Sequence, residues 1–198
     1  GIITIDILPL FDGFSSAVRH AFFQVMSITS TAGFATADFN LWPEVSRWVL
    51  VLLMFCGACA GSTGGGIKIG RVMLMGKAAH CEIRRMSRPR TVNRVMVNGK
   101  AVDDETLRGS LIFFFLYILM LILGTLLISF DGFDTTTNFT AVLSCLSNVG
   151  PGLGLVGPMG NFAMYSIFSK IVLTAAMLIG RLEIFPILIL FSPSLWKR

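Results

Sequence analysis

Apolar residues in this chain come in long runs instead of alternating with polar ones. Gly109 to Phe130 carries no charge and is bracketed by Arg108 and Asp131. At about 1.5 Å per residue, a helix of that length crosses a hydrocarbon core of roughly 30 Å. Two further apolar segments, about Val45 to Gly76 and Asn161 to Phe191, are long enough to cross, and both are interrupted, the first by Gly61-Ser-Thr-Gly-Gly-Gly66 and the second by Lys170 and Arg181. Ahead of each lies a shorter run. Ala21-Phe-Phe-Gln-Val-Met-Ser-Ile-Thr-Ser-Thr-Ala-Gly33-Phe and Asn138-Phe-Thr-Ala-Val-Leu-Ser-Cys-Leu-Ser-Asn-Val-Gly150-Pro lie 117 residues apart, and each ends in small polar residues and a glycine.

This pattern predicts an all-α membrane protein built from a repeated unit of helix, re-entrant hairpin and helix. Residues 109–198 hold a complete unit: a helix to about Phe130, a short helix from about Thr136 to Ser147, a glycine-rich stretch to Pro158, and a returning helix from about Asn161 to Phe191. Residues 1–90 hold the same unit without its opening helix: a short helix near Ser15 to Ser30, a glycine segment around Gly33, and a broken returning segment from Val45. About one and a half repeats are therefore expected. Between them, residues 91–108 form a connector in which apolar positions alternate on either side of Asn98-Gly99, a type I′ hairpin signal. Asp103, Asp104 and Glu105 suit the start of a helix near Thr106, where the dipole favours negative charge. The connector reads as a solvated cytoplasmic segment or as a docking surface for a soluble partner or anionic lipid.

Composition supports the membrane reading, with 54% hydrophobic and 14% charged residues and a mean hydropathy of +0.77. Charge sets the orientation. Lys77, Arg84, Arg85, Arg88, Arg90, Arg94, Lys100 and Arg108 supply eight of the sixteen basic residues, and Lys197 and Arg198 close the chain. The positive-inside rule places that loop and the C-terminus in the cytoplasm. The opposite side carries Asp6, Asp12, Asp38, Glu44, Asp131 and Asp134 with little but Arg19 and Arg47 against them, an acidic mouth that concentrates cations. The opening Gly1-Ile-Ile-Thr-Ile-Asp6 lacks the basic region of a cleavable signal, and the chain is expected to be part of a longer one. Cys56-x-x-Cys59 has no second ligand pair, and His20 and His80 lack ligand-spaced partners, so neither metal nor redox chemistry is expected. No convergent acid, base or metal cluster supports an enzyme.

Backbone that leaves helical geometry inside a bilayer must line a cavity, because lipid cannot satisfy free N–H and C=O groups. Two such departures in matching places suggest a filter. Thr31, Ala32 and Gly33 in one copy, after Ser30, and Asn148, Val149 and Gly150 in the other, after Ser147, can present carbonyls to a dehydrated cation. The rival reading is a glycine-rich external loop. Gly61, Ser62, Thr63, Gly64, Gly65 and Gly66 resemble a phosphate loop, but Ile67 separates Gly66 from Lys68, so the Walker pattern fails. Gly152-x-Gly154-x-x-Gly157 matches the dinucleotide pattern literally and fails on context, since Pro158 follows and no βαβ strand precedes. The repeat offset sets Arg181 opposite Gly64, so Arg181 can donate to the loop carbonyls and form a gate below the filter. Its rival is a structural Arg181 paired with Glu183. Lys170 is expected to brace the pore against an outer carboxylate or carbonyls. The four-residue spacings Gly57/Gly61 and Gly66/Gly70 suggest close helix approach, and Asn138-Phe-Thr140 fits the glycosylation sequon by chance.

Ser30-Thr-Ala-Gly33-Phe, Ala60-Gly-Ser-Thr-Gly-Gly-Gly-Ile-Lys68, Ser147-Asn-Val-Gly-Pro-Gly152 and Gly180-Arg-Leu-Glu183, in that order, resemble the C-terminal half of the bacterial Trk potassium-uptake membrane subunit, in the Trk/Ktr/HKT superfamily. The resemblance covers essentially the whole chain. It implies four M1-P-M2 repeats around one pseudo-fourfold pore, with one filter glycine per repeat and an intramembrane gating loop in the third. Gly33 and Gly150 then become the filter glycines of repeats three and four, Gly61 to Gly66 the gating loop, and Arg181 its partner. The resemblance also implies potassium as the transported ion, a bacterial inner-membrane location and a homodimer in lipid. The N-terminal half of the same protein and a cytosolic nucleotide-binding regulatory protein are the implied partners; nucleotides would bind that partner, and neither a cofactor of this chain nor nucleic acid is implied. A non-conducting scaffold or sensor that keeps the pore architecture is the alternative.

Overall fold

In the computed structural model the described residues are 1–11, 13–57, 64–87, 95–97 and 100–182. They are mostly helical. Helix α5 (Asp104–Ile128) continues as a short 3-10 turn to Asp131. Among the described residues this is the one helix long and apolar enough to cross a membrane. It begins slightly earlier than Thr106, because Asp104 and Glu105 fit inside the first turn, where free N–H groups favour acidic side chains. One stripe of α5 is buried: Ser110, Phe113, Tyr117, Leu121, Gly124 and Ile128, at the three- and four-residue spacing of a helix face. The opposite face exposes Leu111, Phe115, Ile122 and Leu126. A helix apolar all round suits a lipid surround or a protein interior.

Helix α6 (Thr135–Ser147) is short and central. From Thr137 to Ser147 every residue but Phe139 is buried. It packs on α5, on α7 (Ile167–Leu182) and on α3 (Glu44–Cys56). A Cβ added at Gly124 would lie 2.8 Å from Val142 Cγ1, so glycine is what brings α5 against α6. Its counterpart in the first half is α2 (Phe14–Thr29), which packs on α3 and on α1 (Ile2–Ile7). The N–H and hydroxyl of Ser46 both donate to Asp6, at 3.0 and 2.5 Å, and tie α1 to the start of α3.

The first returning segment is broken as expected. Helix α3 stops at Cys56 with Gly57 at φ 60°, and α4 (Ile69–Ser87) starts afresh. Helix α4 runs well past Gly76, so a helix occupies residues 77–87, which the charge pattern assigned to the basic loop. It lies against α5, with the Arg71 guanidinium 4.1 Å above the Phe113 ring. Strands β1 (Met96–Val97) and β2 (Lys100–Ala101) pair antiparallel with Val97 opposite Lys100, which leaves the two-residue connection expected at 98–99. Lys77 Nζ donates to the Met96 carbonyl and holds the hairpin to α4.

The second returning helix differs from expectation at its start. It begins at Ile167 and not at Asn161, because polar side chains turn the chain first. Asn161 Oδ1 accepts from Ala163 N, Asp131 Oδ2 from Ser166 N, and Ser166 Oγ from Ser169 N. Lys170 Nζ donates to the Ala163 carbonyl at 2.8 Å, one of the two kinds of partner anticipated for it. The expected continuation to Phe191 lies outside the described residues.

Candidate functional site

The two repeated runs fold alike down to individual backbone bonds. Ala32 N donates to the Ser27 carbonyl at 2.9 Å, and Val149 N donates to the Ser144 carbonyl at 3.0 Å, each 117 residues from its counterpart. Thr31 and Asn148 both sit in the left-handed region, at φ 58° and 55°. Of the described non-glycine residues only Lys68 shares that conformation. Left-handed geometry is costly for a β-branched threonine and mild for asparagine, a common helix terminator. Two residues later, Gly33 and Gly150 take φ 75° and 110°. Both helices thus lead into the same left-handed turn.

The fold then sets the two turns side by side. A Cβ on Gly33 would stand 2.1 Å from the Val149 carbonyl oxygen and 3.2 Å from the Pro151 ring. A Cβ on Gly150 would be 3.9 Å from Gly33 Cα. Gly33 therefore adjoins Val149, Gly150 and Pro151. Around them the support differs between copies. Ser27 Oγ donates to the Phe34 carbonyl at 2.6 Å in the first turn, whereas in the second Thr140 Oγ1 receives Leu153 N at 2.9 Å.

The described part of the glycine loop, Gly64, Gly65 and Gly66, is buried, while Gly61, Ser62 and Thr63 lie outside the described residues. A Cβ on Gly65 would be 2.3 Å from the Ser147 carbonyl oxygen, so the loop seats on the last turn of α6. Its two ends also meet: a Cβ on Gly57 would be 2.5 Å from the Gly65 oxygen, and one on Gly66 3.2 Å from Gly57 Cα. Gly57 and Gly66, one from each of the four-residue glycine spacings, thus meet across the break, while Gly61 lies outside the described residues. Ile67 N donates to the Phe55 carbonyl at 3.2 Å and closes it.

Arg181 lies exposed in the last turn of α7 and has interactions of its own. Its neighbour Gly180 makes the close approach: a Cβ there would be 1.9 Å from the Leu146 carbonyl oxygen. Asn148 Nδ2 donates to the Met177 carbonyl at 3.2 Å. The end of α7 and the glycine loop therefore converge on the same end of α6. Glu183 lies outside the described residues.

Several of the acidic residues read as an outer cation trap serve as local acceptors. Asp38 accepts from Asn40 N, Glu44 pairs with Arg47, and Asp6 and Asp131 hold Ser46 and Ser166. Their oxygens are engaged at helix starts and loop ties. Asp134 caps α6, taking the Thr137 hydroxyl at 2.5 Å and the Thr137 N–H at 3.2 Å. The Thr137 hydroxyl holds its carboxyl below the usual carboxylate range, against an opposing effect of burial.

Three anchors were not singled out from sequence. Asn40 makes a reciprocal pair with Gly154, donating to its carbonyl at 3.0 Å and accepting from its N–H at 2.9 Å, which joins the outer loops of the two halves. No local pattern marks it. The two tyrosines grip α6 at its two ends, Tyr165 donating to Asn138 Oδ1 at 3.0 Å and Tyr117 sharing a 2.7 Å bond with Ser147 Oγ. Their signal was present, since a phenol in an apolar stretch needs a partner when buried. Asn138 is buried and also donates to the Phe133 carbonyl, which leaves its sequon inaccessible in the folded chain.

Known proteins resemble this chain in sequence and fold. The profile of the TrkH family, described as a cation transport protein, matches residues 13–198. The Trk system potassium uptake protein TrkH of Salmonella typhimurium is 38% identical over 189 residues, 96% of this chain and 39% of that protein. The Trk system potassium uptake protein TrkG of Escherichia coli K12 is 38% identical over 178 residues, 90% of this chain and 36% of its own. The crystal structure of the potassium transporter TrkH from Vibrio parahaemolyticus superposes with a TM-score of 0.87 at 36% identity, covering 99% of this chain and 42% of that one. The chain thus spans about two fifths of the length of the relatives it matches.

Proposed function

Because the chain belongs to the TrkH family of cation transport proteins, we propose that it forms the last two quarters of a potassium-conducting pore in a bacterial inner membrane. Potassium is the substrate. On this reading residues 1–90 are the pore helix, filter and broken second helix of a third repeat, residues 91–108 the cytoplasmic connector, and residues 109–198 a complete M1-P-M2 fourth repeat. The observation that carries it is the pair of adjoining turns, each with a left-handed residue followed two positions later by a glycine at positive φ. Outward-turned carbonyls on such a turn replace the water of a dehydrated cation without a formal charge that would hold it too tightly. Thr31, Ala32 and Gly33 supply one wall and Asn148, Val149 and Gly150 the adjoining one. The other walls come from the N-terminal half of the same protein.

Gly61, Ser62, Thr63, Gly64, Gly65 and Gly66 act as the gate with Arg181. What supports this is the convergence of Gly65 and Gly180 on the carbonyls of Ser147 and Leu146, at the end of α6 that leads into the second turn. A homodimer in lipid, its C-termini and connector on the cytoplasmic side against a nucleotide-binding regulatory protein, completes the assembly. The test is rubidium uptake by cells lacking other potassium systems and expressing the full-length protein. Gly33→Ala places a methyl against the Val149 carbonyl in a backbone region that excludes it. Uptake is expected to fall at least about tenfold, the effect of roughly 1.4 kcal/mol at one binding step. Unchanged uptake and unchanged rubidium preference would overturn the filter assignment.

A further inference from the structure

We infer that Tyr117 is a positioning residue for ion selection: its bond to Ser147 fixes the fourth-repeat turn and ties that turn to the glycine loop. The inference rests on the transport reading above and adds a residue that contacts no ion. Tyr117 lies midway along α5 and is 2% exposed, and Ser147 is fully buried as the last residue of α6. Their hydroxyls share a 2.7 Å hydrogen bond. The next residue, Asn148, is already left-handed, so Ser147 is the hinge from which Val149 and Gly150 project.

The loop meets the same pair from both of its ends. Phe55, in the last turn of α3 before the break, sets its ring edge-on to Tyr117 with centroids 5.4 Å apart. Gly65, at the far side of the break, abuts the Ser147 carbonyl. The Phe55 carbonyl in turn receives Ile67 N, so these contacts close a circuit through Tyr117, Ser147, Gly65, Ile67 and Phe55. Phe113 stacks beside Tyr117 on the same face of α5, under the Arg71 guanidinium, which fixes the ring from the α4 side. A hydroxyl held by packing on one side and bonded to the hinge on the other restrains the turn against the small shift a smaller ion demands. Discrimination by carbonyls depends on such restraint or on the number of carbonyls kept in register, and both weaken if Ser147 is freed.

The experiment uses the full-length protein in liposomes, with radiolabelled rubidium and sodium fluxes measured in parallel for the parent, Tyr117→Phe, Ser147→Ala and the double variant. Tyr117→Phe keeps the ring and its contacts and removes only the bond. The rubidium-to-sodium flux ratio is expected to fall roughly three- to tenfold, the range set by the net worth of one hydrogen bond. Rubidium flux itself should be retained. Ser147→Ala should do the same, and the double variant should be no worse than either single one, the mark of a shared interaction. An unchanged ratio in Tyr117→Phe, or effects that add in the double variant, would overturn the inference while leaving the transport reading intact if Gly33→Ala still lowers uptake as expected. A parent protein without rubidium flux would overturn both. If both single variants fail to reach the membrane folded, the bond serves assembly and the selection role is refuted.

Discussion

Thr31 and Asn148 show how one backbone requirement is met by two side chains. A helix that stops in this turn takes a left-handed residue near its end, a conformation asparagine adopts readily and a β-branched threonine only at a cost. The glycines two positions on were legible because nothing else tolerates the conformation at close quarters. The left-handed residues were legible only as members of a motif, since neither is a glycine. Asp134 is the residue where chemistry and stability can be separated. Removing its cap with Asp134→Ala should cost about 1 kcal/mol of unfolding free energy near neutral pH. Its folded carboxyl titrates below the unfolded value of about 3.9, so the unfolded chain takes up the proton first as the medium is acidified. The contribution is therefore whole above that value and is lost as pH falls through the depressed folded one. Thermal unfolding in detergent at pH 6 and near pH 3 should show the gap between parent and variant closing on the acid side.

Helices α5 and α6 were readable within a few residues, one from its uncharged length and the other from its repeat partner. The start of α7 was not, because Asn161, Ser166 and Asp131 turn the chain through bonds that leave no periodic trace. Nor was the inward stripe of α5: with apolar residues all round, periodicity cannot say which face meets protein, and only packing on Val142 through Gly124 decides it. The same limit hid the clamp between Asn40 and Gly154, which joins elements far apart in sequence. Helix contact makes its own prediction. Alanine in place of an interior helical glycine ordinarily stabilises by about 0.5–1 kcal/mol. Gly76 has nothing within 4 Å of an added Cβ, so Gly76→Ala in α4 should follow that rule. Gly180→Ala should go the other way, because its methyl would be driven into the Leu146 carbonyl and α7 would have to part from α6. Melting temperatures of the two variants in one detergent are expected to move in opposite directions, with altered rubidium flux only for Gly180→Ala.

At the scale of the molecule, two adjoining turns make an arc and not a ring. The 198-residue chain expressed alone should give no rubidium uptake above background, and uptake should return when it is joined to the N-terminal half. Uptake by the isolated chain would mean that copies of it close the pore among themselves. The burial of α6 has a consequence for biogenesis as well. At 13 residues, with Thr135, Thr136, Thr137 and Asn138 in its first turn, this helix is too short and too polar to be inserted on its own account. It is held by neighbours on both sides of it in sequence, and Tyr165 is among the residues that close over Asn138. The chance sequon at Asn138 therefore serves as a reporter of assembly in a glycosylating membrane. Translated into microsomes with its outer side toward the lumen, a version that ends before Tyr165 should acquire a glycan at Asn138. The full-length protein, once its last helix has closed over α6, should acquire far less.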